Sequence, residues 1–479
     1  MKRFILICAL ALAAAEALAG GLSVKYPCSD GMVLQQNSQA LVWGHAEPGA
    51  AVSIVPSWSK SKYTCTAGPD GVWKLNLSTP AASYESREIE VRSGKEKLIL
   101  KDVLIGEVWV ASGQSNMEMP LRGFHNCPVE GMLEEVALKE NPALRMFTVE
   151  ITHSEEPLQD VQRTKGWLKA GPDTRKGMSA VAYFFAKYLQ AALDVPVGIL
   201  ALPRGGSRVE SWLPKSTVEA YEDCSAEAQK ARTEWTRAYV MYNGMQQPVK
   251  GYTARGFIWY QGCSNVGAHE AFPARMQELV RQWREDWGSA DMPFYQVEIA
   301  PFIYGDGPDG LSGALLRQAQ HEAARLIPNG GIVCTNDLVS PYEAENIHPC
   351  RKREVGLRLA CLALNRDYGH SEVACLSPEA DEVCRDAKDS SKLLVHIANC
   401  PGGLDRLAEI RGLEVAGEDG VFHKVGKVTM QWQKDLMKVS CPEVPYPVRV
   451  RYGWGNFKPG NLHNSDGLPL VPFDLVWTK

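Results

Sequence analysis

The hydrophobic pattern of residues 20–104 consists of short apolar runs rich in β-branched and aromatic residues. Pro-Gly and Asp-Gly pairs, which are typical turn signals, separate these runs. The pattern therefore predicts a small N-terminal β-sandwich domain over residues 20–104. Trp43 and Trp73 are expected to pack in its core rather than stack on a sugar, because aromatic residues in alternating strands are usually buried. The clearest runs are 40–43, 51–55 and 72–77.

The pattern changes over residues 105–367, where continuous apolar runs alternate with amphipathic segments of helical period. Strands that are covered on both faces require such continuous runs. The segment 276–287 and the segment after Pro349 each place their apolar residues on one helical face. This alternation predicts an α/β domain with a doubly wound parallel sheet. Its predicted strands are 107–112, 144–149, 197–202, 256–261, 293–300 and 331–336.

After residue 367 the strand-type pattern returns among turn-rich stretches. Predicted strands are 393–397, 427–432 and 448–452. A C-terminal β domain is therefore expected over residues 368–479.

The first nineteen residues have the features of a secretory signal peptide. A basic start is followed by the apolar run 4–15 and by Ala17-Leu18-Ala19, the small-x-small pattern that signal peptidase accepts. The apolar run is shorter than the ~20 residues that a membrane-spanning helix needs. Residues 1–19 are therefore predicted to be removed, which leaves a secreted or periplasmic protein without a membrane anchor.

Composition excludes several classes of partner and cofactor. Lysine and arginine number 51 against 56 acidic residues, and no basic run occurs, so nucleic acid is not an expected partner. The chain has no C-x-x-C pair, no zinc-type Cys/His spacing and no His-Glu-x-x-His motif. We therefore expect neither a metal nor any other cofactor. Disulfide pairing among the twelve cysteines after the signal peptide, and the oligomeric state, cannot be predicted from the sequence.

Four junctions between predicted strands and loops are unusually polar. In an open parallel sheet the carboxyl ends of the strands lie at one edge, where ligands bind. These junctions are therefore the places at which catalytic side chains can meet. They are residues 113–117, 204–207, 261–265 and 345–349.

Each junction offers a group that acyl transfer needs. A serine hydroxyl becomes nucleophilic when an imidazole takes its proton, and an acid can orient that imidazole. Ser115, His348 and Glu345 are the candidates for these three roles. The tetrahedral intermediate also needs hydrogen-bond donors for its oxyanion, which the backbone N–H of Gly206 and the side-chain amide of Asn265 can supply.

In this order, the four junctions resemble the SGNH hydrolase superfamily, and more narrowly the sialate O-acetylesterases and related bacterial carbohydrate acetylesterases. The resemblance implies a flavodoxin-like hydrolase domain flanked by β-sandwich-like domains. It also implies a serine esterase that removes O-acetyl groups from a carbohydrate, with sialic acid as the expected sugar. Ser115 would be the nucleophile, His348 the general base, and Gly206 and Asn265 oxyanion donors. The resemblance rests on residues 29–35, 106–118, 259–262, 347–349 and 450–464.

The sequence departs from the family pattern at two positions. Cys263 stands where relatives commonly have glutamate, and Glu345 stands where they usually have aspartate. Asp337 is the alternative orienting acid, and a Ser-His dyad held by a backbone carbonyl is a third arrangement.

The function also has alternatives. An acetylxylan-type esterase is the nearest one. A non-catalytic carbohydrate-binding protein is another, suggested by the two flanking β domains and the loss of glutamate at Cys263. The presence of both Ser115 and His348 argues against it.

Overall fold

The computed structural model describes residues 21–425, 428–431 and 435–478, so the predicted signal peptide lies outside the described residues. The N-terminal region consists of strands, as predicted. Strands β1, β3 and β6 form one antiparallel sheet, and β4 pairs with both β5 and β7, the second of which also pairs with β8. Trp43 and Trp73 are buried in its core, which confirms their predicted packing. The strands are β1 Ser23–Val24, β2 Val33–Gln35, β3 Gln39–His45, β4 Ala51–Pro56, β5 Tyr63–Thr66, β6 Val72–Ser78, β7 Ser83–Ser93 and β8 Glu96–Gly113.

Strand β8 links the N-terminal region to the rest of the molecule without a break. Its first half pairs antiparallel with β7, and its second half lies in a parallel sheet. Burial changes along the strand from an irregular pattern to an unbroken buried run from Val103 to Gly113. The domain boundary predicted near residue 104 therefore lies inside one continuous strand.

The central sheet has the strand order β10-β9-β11-β8-β12-β13-β14. Its strands are parallel except for β10, an edge strand absent from the sequence prediction, which is antiparallel to β9. The five other strands predicted beside β8 are present within a few residues of their expected ends. The strands are β9 Asn141–Thr148, β10 Trp167–Ala170, β11 Val197–Pro203, β12 Gly256–Tyr260, β13 Phe294–Val297 and β14 Gly330–Val333.

Helices cover both faces of this sheet. Val108 and Val110 of β8 belong to one hydrophobic core, whereas Trp109 and Ala111 belong to another. Helices α7 and α8 line the first core, and α4 and α9 line the second. The helices are α1 Ser115–Glu118, α2 Met132–Ala137, α3 Pro172–Arg175, α4 Ala180–Leu193, α5 Lys215–Val218, α6 Ala226–Lys230, α7 Phe272–Asp286, α8 Ser312–Leu326 and α9 Lys352–Asp367.

The C-terminal region forms two four-stranded antiparallel sheets, ordered β15-β16-β20-β19 and β18-β17-β21-β22. Apolar residues of both sheets enclose a third core. Within the described residues no helix combines the length and apolar character needed to cross a membrane, and the twelve cysteines form no disulfide. The strands are β15 Glu379–Arg385, β16 Leu393–Ala398, β17 Leu413–Ala416, β18 Phe422–Lys424, β19 Val428–Gln431, β20 Leu436–Val439, β21 Arg449–Tyr452 and β22 Phe473–Val476.

Candidate active site

Ser115 lies at the carboxyl edge of the central sheet, immediately after β8. The strand ends at Gly113, whose φ of 130° is one that residues with a side chain rarely adopt. The next residue, Gln114, is buried, and its side-chain oxygen accepts a hydrogen bond from the Gly262 N–H at 2.9 Å. The chain then enters the short helix α1 at Ser115. The turn that carries Ser115 is thus fixed against the end of β12.

The structure brings His348 to Ser115. The His348 Nε2 atom lies 2.8 Å from the Ser115 Oγ atom. Within its loop, the backbone N–H of His348 donates to Asn346 Oδ1 and its carbonyl accepts from Asn346 Nδ2, both at 3.0 Å. The edge of the Phe124 ring packs against the imidazole with a centroid distance of 5.0 Å.

The environment of His348 keeps its imidazole neutral. Burial lowers its pKa to about 4, and the nearby Lys352 ammonium acts in the same direction. A neutral imidazole can accept the proton of a serine hydroxyl at 2.8 Å, whereas an imidazolium cannot. The pair therefore has the geometry and the protonation state of a nucleophile with its base.

Neither candidate acid contacts the imidazole. Glu345 is exposed, and no hydrogen bond joins its carboxylate to His348. The carboxylate of Asp337 instead receives two hydrogen bonds from Arg358, at 2.7 and 2.8 Å, and lies 3.2 Å from His463 Nε2. Burial alone would raise the pKa of Asp337, but these partners hold it well below its usual range. Within the described part of the chain, His348 Nδ1 has no hydrogen-bond partner, so the orienting role of Glu345 stays a prediction.

Gly206 lies in the turn after β11, which is parallel to β8. Its φ is 75°, and a Cβ atom there would lie 2.8 Å from Trp235 Cδ1, so a side chain would be strained and crowded. A Cβ on the preceding Gly205 would lie 3.3 Å from Ser115 Cβ, which places this turn directly against Ser115. Across the described residues, the N–H groups of Ser115 and Gly206 donate to no protein acceptor. Both remain available to an oxyanion.

Asn265 is buried and tightly held after β12. Its Oδ1 accepts hydrogen bonds from the Val209 N–H at 3.1 Å and from Gln261 Nε2 at 2.8 Å. Its Nδ2 lies 3.2 and 3.1 Å from the two carboxylate oxygens of Glu210, which also pairs with Arg275. Both hydrogen bonds that this amide nitrogen donates to described residues go to Glu210, so the role of Asn265 as an oxyanion donor stays a prediction.

Two functional candidates, Asn116 and Lys352, were absent from the residues assigned from the sequence. Both side chains are buried, and Lys352 Nζ donates to Asn116 Oδ1 at 2.6 Å. Asn116 Nδ2 in turn donates to the carbonyl of Ile347 at 3.0 Å. These bonds tie the residue after Ser115 to the residue before His348. The sequence signal that could have identified them is their proximity to the predicted catalytic residues, because each lies within four residues of one of them.

Lys352 is a buried amine whose hydrogen-bond partner, Asn116, carries no charge. Burial lowers its pKa to about 7, and its Nζ lies 5.5 Å from the centre of the Tyr260 ring. Cys263 is nearby and would oppose this shift only as a thiolate, but burial raises the pKa of its thiol. Position 263, where the resemblance described above leads us to expect glutamate, thus carries a neutral thiol.

The sequence and the fold are similar to those of known carbohydrate esterases. The sequence model of the family described as carbohydrate esterase, sialic acid-specific acetylesterase, matches residues 105–365. Sialate O-acetylesterase of Mus musculus is 28% identical over 404 residues, covering 72% of this chain and 74% of that protein. The Homo sapiens protein of the same name is 26% identical over 497 aligned positions, covering 92% and 90%. The crystal structure of a carbohydrate acetylesterase from Xanthomonas citri is 30% identical with a TM-score of 0.83, covering 95% of this chain and 99% of that one.

The mixed α/β fold and these similarities make the chain a carboxylic ester hydrolase that removes O-acetyl groups from carbohydrate. More narrowly, the chain belongs to the sialic acid-specific acetylesterase family of carbohydrate esterases. The family membership and the enzyme class predicted from the sequence motifs are confirmed.

Proposed function

We propose that this enzyme hydrolyses O-acetyl esters of sialic acid through an acetyl-serine intermediate on Ser115. The observation that carries the proposal is the 2.8 Å contact between Ser115 Oγ and His348 Nε2. The sugar is supported by the names of the relatives, which are sialate O-acetylesterases.

The reaction proceeds in two halves. Ser115 Oγ forms a bond to the acetyl carbonyl carbon while its proton passes to His348 Nε2. The N–H groups of Ser115 and Gly206 and the amide of Asn265 stabilise the oxyanion. When the intermediate collapses, the sugar oxygen leaves and takes the proton from His348. Water then attacks the acetyl carbon on Ser115 while its proton passes to His348, and when this second intermediate collapses the bond to Ser115 Oγ breaks, Oγ takes the proton back from His348, and acetate leaves. Each step uses groups of this chain and requires no metal or other cofactor.

We also propose that residues 105–367 are a doubly wound, flavodoxin-like SGNH hydrolase domain. Its parallel strand order and its two cores, one on each face of the sheet, support this arrangement. Residues 20–104 and 368–479 are proposed as flanking β-sandwich-like domains. Export is proposed from the signal-peptide pattern of residues 1–19.

Acetate release from defined substrates tests the proposal. The purified chain beginning at residue 20 is assayed with O-acetylated sialic acid and with acetylated xylan, and Ser115→Ala serves as the inactive control. We expect faster release from the sialic acid substrate and none above background in the variant. Faster release from xylan would instead assign the enzyme to the acetylxylan-type class.

A further inference from the structure

A cavity of about 500 Å³ opens at the carboxyl edge of the central sheet beside the Ser115–His348 pair. This volume lies in the range of small-molecule sites. Its floor comes from the ends of β9 and β11, and it reaches Glu118, one helical turn after Ser115. Its wall includes Phe124, the residue whose ring packs on His348. A sugar whose acetyl group lies at Ser115 would therefore extend into this cavity.

The ionisable side chains of the cavity differ in their partners. Arg163 pairs with Glu150 at 3.3 Å. Glu118 accepts a hydrogen bond from the Gly205 N–H, and burial raises the pKa of its carboxyl. Arg122, in contrast, forms no side-chain hydrogen bond or ion pair with any described residue. Arg122 is exposed to solvent, and it is the arginine of the cavity lining without an ion-pair partner; the exposed His125 also has no side-chain partner among the described residues.

The backbone that carries Arg122 is well anchored. Its N–H donates to the carbonyl of Lys176 at 3.0 Å, and the N–H of Leu121 donates to the carbonyl of Met178 at 2.8 Å. Leu121 itself is buried. A fixed backbone reduces the entropy lost when the side chain binds a ligand. The planar guanidinium group of an arginine can donate two parallel hydrogen bonds to a carboxylate.

We propose that Arg122 binds the carboxylate of an acidic sugar in this cavity and thereby selects anionic over neutral acetylated sugars. This inference rests on the proposed function, because it places the sugar by the position of its acetyl group at Ser115. Phe124 and Ile151 supply the apolar part of the wall against which the sugar lies.

Binding measurements test the role of Arg122 separately from catalysis. Calorimetry is performed on Ser115→Ala, which cannot turn over substrate, with N-acetylneuraminic acid and with its neutral methyl ester. We expect the acid to bind about 10- to 100-fold more tightly than the ester, as a charge-assisted pair predicts. Adding Arg122→Gln should abolish this preference, and adding Arg122→Lys should retain part of it. Arg411→Gln, a change at an exposed arginine outside the cavity, is the matched control and should leave the preference unchanged.

Kinetics of the Arg122→Gln single variant provide the second readout. We expect its kcat/KM for O-acetylated sialic acid to fall about 10- to 100-fold, mainly through KM, whereas Arg411→Gln should leave both kcat and KM unchanged. Equal binding of acid and ester by Ser115→Ala, or an unchanged preference after Arg122→Gln, would overturn the inference. Failure of the proposed function has a different signature, namely that Ser115→Ala retains the deacetylase activity of the unaltered enzyme.

Discussion

The two sides of the active site are built in different ways. The proposed oxyanion side, defined as the candidate donors Ser115, Gly206 and Asn265, follows directly from strand ends. Gly113 of β8 is in register with both Pro203 of β11 and Tyr260 of β12. The histidine side, defined as the loop from residue 337 to His348, contains no strand, and its two candidate acids point to other partners or to solvent.

This difference shows which parts of the structure fix the positions of the candidate catalytic groups. On the proposed oxyanion side, sheet register and the buried contact of Asn265 with Glu210 hold the candidate donors in place. On the histidine side, the backbone that carries His348 is held by the hydrogen bond from its N–H to Asn346 and by the bond from Asn116 to the carbonyl of Ile347. The buried carboxylate of Glu343 also holds this loop, because it accepts hydrogen bonds from the N–H groups of Ser340 and Cys350, both at 2.9 Å, although no carboxylate contacts the imidazole itself.

Ser115→Ala affects both sides of the site at once, because it removes the Ser115 hydroxyl group, at which the two sides meet. We expect turnover to fall at least ~10³-fold, since only transition-state stabilisation by the oxyanion donors remains. Acetate release measures the loss, and an unchanged Tm shows that the fold is intact. Turnover within tenfold of the unaltered enzyme would refute the nucleophile assignment.

Asn265→Ala tests the oxyanion side alone. It removes a donor that acts only on transition-state charge, so kcat should fall about 10²- to 10³-fold with little change in KM. Steady-state kinetics separate the two constants. Because Asn265 also contacts Glu210, Tm is measured in parallel. A loss confined to KM would make Asn265 a substrate contact instead.

The contrast between the two sides also explains what could be predicted from the sequence. Continuous apolar runs indicated five parallel strands beside β8, and therefore the edge at which Ser115, Gly206 and Asn265 lie. The direction of a loop side chain has no such periodicity. Glu345 lies three positions before His348, yet spacing alone could not reveal that its carboxylate is exposed. The Arg358 and His463 partners of Asp337 are likewise contacts that only tertiary structure brings together.

Asn116→Ala tests the amide link on the histidine side. Removing the bond to the carbonyl of Ile347 frees the loop that carries His348, so kcat should fall on the order of 10- to 100-fold. The catalytic groups themselves are unchanged, so KM should move little. Asn116→Asp is the matched comparison: it keeps the acceptor for Lys352 but loses the donor. It should therefore be impaired to a similar extent if the link to Ile347 carries the effect.

Glu345→Gln is expected to have the smallest effect. When a carboxylate orients a catalytic imidazole, removal of its charge lowers turnover about 10²- to 10⁴-fold. The Glu345 carboxylate is exposed and does not contact His348. Turnover should therefore fall less than tenfold, with Tm unchanged. A larger loss would show that Glu345 reaches Nδ1 during the reaction and would restore the charged triad.

The pH dependence of kcat/KM provides a second test of whether Glu345 contacts His348. This test does not depend on how much turnover Glu345→Gln loses. Burial, with Lys352 beside it, lowers the pKa of His348 to about 4, so the neutral base persists down to that pH. In the free enzyme, kcat/KM should therefore decline only as the pH falls through about 4. A carboxylate at Nδ1 would favour the imidazolium and move this acid limb upward. Because Glu345 makes no such contact, Glu345→Gln should leave the limb in place, whereas a limb that moves downward in the variant would show that the two groups interact in solution.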